Sequence, residues 1–154
     1  MRKSISLSFL TIFILILFFS VTLAACRPEP LVPQTARVLI VNPGAESILE
    51  TSDVTISTFI ENFDLINSTG EVKKVHFDHS PLKGNIIYYK DVTPPINQGK
   101  NALTEEGTYV IANATSYTWK NVEKGKHTFW VQLVHQDNTP LQPPAAVRIF
   151  VTVK

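Results

Sequence analysis

Residues 54–61 read Val54-Thr55-Ile56-Ser57-Thr58-Phe59-Ile60-Glu61, and this stretch decides the fold. Val54, Ile56, Thr58 and Ile60 alternate with Thr55, Ser57, Phe59 and Glu61, a period of two. Successive side chains of a strand leave on opposite faces, so the pattern predicts a half-buried β-strand. The same period runs through Val147–Val153, which puts Val147, Ile149, Val151 and Val153 on one face. Thr128–Val134 is a further strand, introduced by the turn Glu123-Lys124-Gly125-Lys126. Shorter runs at Val38–Val41 (stopped by Asn42-Pro43-Gly44), Ile86–Tyr89, Thr108–Ile111 and Ser116–Trp119 complete the set. No window of about 12 residues after position 36 supports an amphipathic helix.

Turn residues recur at the interval of an all-β sandwich. Residues 37–154 form a segment of 118, close to the roughly 100 of an immunoglobulin-type domain. The expected fold is an all-β, immunoglobulin-like antiparallel β-sandwich of about 7–9 strands. Two connections look long. Asp64–Lys74 carries Asn67-Ser68-Thr69-Gly70 as a tight turn, with Val75-His76-Phe77 beyond it. Asp91–Glu106 opens Asp-Val-Thr-Pro-Pro and carries Gly99. Loops 64–83 and 91–106 are therefore expected contact surfaces, since long loops of a rigid scaffold commonly carry binding.

Ahead of this domain, Arg2 and Lys3 precede an uncharged run from Ser4 to Ala25. A basic start followed by an apolar stretch is an export signal and takes no part in the fold. The run ends in Leu23-Ala24-Ala25-Cys26. Those four residues resemble the bacterial lipoprotein signal, the lipobox. The resemblance implies cleavage before Cys26 and diacylation of that cysteine, which would hold the chain on a membrane through two acyl chains. An uncleaved transmembrane anchor is the alternative, because the uncharged run is long enough to span. Either way residues 37–154 are expected outside the cytoplasm, in the cell envelope. Residues 27–35, Arg-Pro-Glu-Pro-Leu-Val-Pro-Gln-Thr, hold three prolines and read as an extended, semi-rigid spacer. The expected organisation is a signal peptide over 1–25, a lipidated tether over 26–36 and the β-domain over 37–154.

Composition narrows the function classes. The chain of 154 residues carries a net charge of +1. Removing Arg2 and Lys3 from its 14 basic residues leaves 12 against 13 acidic ones. A neutral body without a basic stripe argues against nucleic acid as a partner. A single cysteine excludes an internal disulfide and a Cys-rich metal site. It also excludes a blue-copper centre, because Cys26 precedes the domain and Met1, the only methionine, goes with the signal. No Gly-x-Ser-x-Gly, His-Glu-x-x-His or phosphate-loop motif is present. No enzyme activity and no cofactor are expected.

Two constellations stand as candidate sites. His76, Asp78 and His79 crowd one short segment and His127 lies on a later strand, so these four are the candidate metal ligands. His127 and His135 share the parity of Phe129, Val131 and Leu133, but at about 3.4 Å per residue they lie about 27 Å apart and cannot share an ion. The simpler reading of the histidines is a surface or rim position. Trp130 and Phe150 have the opposite parity to their apolar neighbours. If the last two strands pair, the two rings stack on an outward face, as a docking patch for a protein or a sugar. Ordinary cross-strand packing, or cover by a long loop, is the simpler reading. Asn67-Ser68-Thr69 and Asn113-Ala114-Thr115 fit the N-glycosylation sequon and are read here only as exposed loop residues.

Between Gly84 and Val153, Asp91-Val92-Thr93-Pro94-Pro95, Ser116-Tyr117-Thr118-Trp119, Gly125-Lys126-His127-Thr128-Phe129 and Asp137-Asn138-Thr139-Pro140-Leu141-Gln142-Pro143-Pro144 follow in order. Together with Val38–Gly44 and Asp53–Ile56 they resemble a family of uncharacterised exported prokaryotic domains, often lipoproteins. The resemblance implies an envelope location and supplies no activity. In that pattern Gly84 is followed by His-Ile-His, and position 138 is histidine. This chain has Asn85-Ile86-Ile87 and Asn138, so three candidate ligands are missing and His127 alone is kept.

The resulting expectation is a non-catalytic, membrane-tethered binding or structural module. Its partners would be the membrane, through lipid on Cys26, and an envelope protein or glycan. An exported metal-binding protein is the alternative.

Overall fold

The computed structural model describes residues 35–66, 72–73 and 82–154. The signal segment, Cys26 and most of the tether lie outside them, as do His76, Asp78, His79 and the turn at 67–70. Gln34–Lys154 forms one compact unit.

Ten strands follow one another: β1 (Arg37–Asn42), β2 (Ser47–Leu49), β3 (Val54–Glu61), β4 (Asp64–Ile66), β5 (Val72–Lys73), β6 (Lys83–Lys90), β7 (Tyr109–Ala112), β8 (Ser116–Trp119), β9 (Gly125–His135) and β10 (Pro140–Val153). One sheet has the order β1-β3-β8. The other runs β2-β10-β9-β6-β4-β5, and β7 also pairs with β6. In the larger sheet β6, β9 and β10 lie side by side, opposite β1, β3 and β8 of the smaller one. Two facing sheets with no helix among the described residues bear out the all-β sandwich.

Three details differ from the sequence-based expectation. The described residues hold ten strands, because β2, β4 and β5 are too short to show a period. Two pairings are parallel, β2 with β10 and β4 with β6. The connection expected as a long loop from Asp64 contains β4 and β5.

The period-two reading of residues 54–61 holds residue by residue. Val54, Ile56 and Ile60 are buried and pack in the main core, and Thr58 is buried beside them. Phe59 points outward and is half exposed. Phe129, Val131 and Leu133 of β9 meet them from the opposite sheet, joined by Ile149, Val151 and Val153 of β10. Each such side chain contributes about 1.5–3 kcal/mol when fully buried. Trp119 belongs to the same core, and its buried indole N–H has no hydrogen-bond partner among the described residues.

β6 is buried on both faces. Ile86 and Tyr88 point into the main core, where the Tyr88 hydroxyl donates to the Ala114 carbonyl at 3.1 Å. Ile87 and Tyr89 point the other way, into a second apolar cluster with Val134 and Ala102. Ala102 belongs to the connection between β6 and β7, which folds down over the outer face of the sheet. The unbroken apolar run Ile86–Tyr89 is therefore that of a strand covered on both sides.

Candidate functional site

The outward face of the larger sheet has two halves. Over the first, the segment 91–108 closes as a lid. Gln132 of β9 is fully buried there. Its Nε2 donates to the Pro95 carbonyl at 3.0 Å, and the Tyr89 hydroxyl lies 2.9 Å from its Oε1 and 3.0 Å from the Ala102 carbonyl. Burial pushes the Tyr89 hydroxyl far above its ordinary pKa, with the neighbouring Tyr109 adding to the shift. The expected contact surface 91–106 thus spends its inner side on the sheet, while Ile96 remains exposed at its crest.

The start of this segment is fastened by Asp91. Its Oδ1 accepts from the Thr128 backbone N–H at 2.8 Å, and its Oδ2 lies 2.7 Å from His127 Nδ1. His127 Nε2 is 2.8 Å from the Glu123 carbonyl. Both ring nitrogens therefore face protein oxygens, an arrangement that positions a loop and leaves neither nitrogen turned to an open site. Of the four candidate metal ligands only His127 lies among the described residues. Among those residues no three His, Cys, Asp or Glu side chains converge as a ligand set.

Two positions at which the resemblance expects histidine meet in space. Asn85 Nδ2 donates to Asn138 Oδ1 at 3.1 Å, and Ile87, at the third, is fully buried in the second cluster. Asn138 has a φ of 62°, a left-handed backbone that asparagine tolerates well. A neutral amide pair joins β6 to the β9–β10 turn here.

The second half of the face is open. Register sets Trp130 opposite Arg148 and Thr128 opposite Phe150. The expected stack of Trp130 on Phe150 does not form, because the rings are diagonal and Arg148 stands directly across from the indole. The Arg148 guanidinium lies 5.4 Å from the Trp130 ring and 5.2 Å from the Phe150 ring. Lys126 Nζ lies 4.8 Å from Phe150 and 3.1 Å from Glu46 Oε2. Trp130 also packs against the second apolar cluster beneath the lid, so it is half-buried. The face is a row of alternating rings and cations rather than an apolar patch. Sequence reasoning missed Arg148, although its parity with Phe150 marks it as outward-facing.

A further opening, a shallow groove of about 470 Å³, separates β1 from the first half of β10 along residues 35–39 and 144–147. Its only ionisable side chain, Arg37, faces Glu61 at 3.5 Å. It brings together no nucleophile and base. In comparison with known proteins, no family model and no curated protein matches the chain.

Proposed function

We propose that the chain is an exported lipoprotein, anchored through Cys26, whose β-sandwich is a non-catalytic binding module for an envelope protein or glycan. The observation that supports this reading most is the asymmetry of one sheet face. The 91–108 lid seals one half, while on the other Arg148 is exposed over a half-buried Phe150. A module of this kind acts by burying area around a few anchors and not by bond chemistry. The spacer 27–35 would hold the domain off the lipid surface, leaving the face clear.

The test starts from Cys26→Ser in the full chain, which should move the protein from the membrane to the soluble fraction. The released chain should still sediment with isolated cell-envelope material. Phe150→Ala should abolish that sedimentation, whereas Ile96→Ser on the crest of the lid should not. Retention unaffected by Phe150→Ala, or no sedimentation at all, would remove the binding role from this face. Membrane retention of Cys26→Ser would favour an uncleaved anchor.

A further inference from the structure

We propose that Arg148 is the receptor for a carboxylate, and that the ligand class of the open face is an acidic glycan built from uronic acids. The inference rests on the binding-module reading and adds its ligand chemistry. Arg148 is exposed, yet it makes no hydrogen bond or ion pair among the described residues. A guanidinium between two rings is ordered without a carboxylate, because the ring faces attract the cation while its N–H edges stay free. Those edges form a planar fork that matches a carboxylate in a two-point contact.

Charge complementarity selects the occupant. Lys126, the neighbouring cation, is already matched by Glu46, so the face presents one uncompensated positive charge. One planar guanidinium fork matches the two-oxygen edge of one sugar carboxylate at a time. The residues around the fork suit a sugar. Thr128 lies across from Phe150 and Thr152 across from Lys126 on the same face. Neither hydroxyl has a hydrogen-bond partner among the described residues. A cation fork, two free hydroxyls and an aromatic edge within one strand pair match the carboxylate, hydroxyls and apolar C–H surface of a uronic acid. The sequence carries the raw signal, since residues 126, 128, 130, 148, 150 and 152 share one parity class on two adjacent strands.

The experiment uses the full chain purified in detergent, with polygalacturonate, neutral dextran and inorganic polyphosphate as probes in affinity electrophoresis. Polygalacturonate should retard the protein, and dextran should not. Arg148→Gln should weaken retardation at least tenfold. Arg148→Lys should restore only part of it, because the charge returns without the fork. Retardation should also fall as salt is raised. Thermal unfolding of Arg148→Gln within a few degrees of the parent establishes that the fold is intact. Equal retardation of Arg148→Gln and parent would overturn the role of Arg148. Stronger retardation by polyphosphate than by polygalacturonate would overturn the carboxylate assignment. Retardation by none of the probes would overturn the glycan inference. If Phe150→Ala still abolished envelope sedimentation, the binding-module reading would survive that result; if it did not, both would fail.

Discussion

Gly84 sits where β6 comes closest to β9, paired with His135. A Cβ at this position would collide with the carbonyl oxygen of Val134. That obstacle is backbone and cannot rotate away. Gly84→Ala should therefore cost about 3 kcal/mol, the upper end of overpacking penalties, read as a lower urea midpoint at unchanged slope. A loss under about 0.5 kcal/mol, the range of ordinary surface changes, would mean that β6 can shift away from β9. Gly84 shows how a residue's sequence context can mark it without explaining it: the resemblance includes it in a motif, and only the close approach of two strands says why glycine is there. Arg148 is the converse case. Its parity with Phe150, two residues on, was legible, but the Trp130 ring was not, since it belongs to β9 and reaches Arg148 only through register.

The connection 91–108 acts as a unit. Asp91 pins its start to β9, Gln132 and Tyr89 hold its middle, and the Ala102 N–H donates to the Asn138 carbonyl at 2.8 Å. Gln132→Leu keeps similar bulk but leaves the Pro95 carbonyl without its donor. Such a loss costs about 1–3 kcal/mol. Because β9 keeps its apolar contacts, the cost should fall on the lid. Amide hydrogen exchange should accelerate in residues 92–104 and remain slow in β3 and β9. Uniform acceleration through both sheets would show that the lid and the sandwich unfold together. The sequence marked this connection as long and free of strands, which it is. It could not show that the inner side is closed, because Gln132 reads as a polar strand residue until Pro95 is placed above it.

Across the whole molecule, the buried tyrosines Tyr88 and Tyr89 should weaken the fold at alkaline pH. Burial raises the pKa of both Tyr88 and Tyr89 in the folded chain. A raised folded pKa contributes stability that is complete below the unfolded value of about 10 and is lost as pH rises above it. The urea midpoint should fall above about pH 10, and Tyr89→Phe should flatten that fall; an identical decline in both proteins would place the limit elsewhere. At the acid end Asp53 acts with the opposite sign. The Lys120 ammonium and the Asn121 N–H hold its carboxyl below the usual range, so its small exposed contribution disappears as pH falls through that lowered value. By itself the sequence determined the strand class, the inward residues of β3, β9 and β10, and the neutral charge of the body. Those properties depend on neighbours along the chain, where a period of two is sufficient. The tertiary structure decided the parallel pairings of β2 with β10 and of β4 with β6, the burial of β6 on both faces and the cations inserted among Trp130 and Phe150. Each of these depends on cross-strand register and on which face a distant segment covers, contacts between residues far apart in sequence.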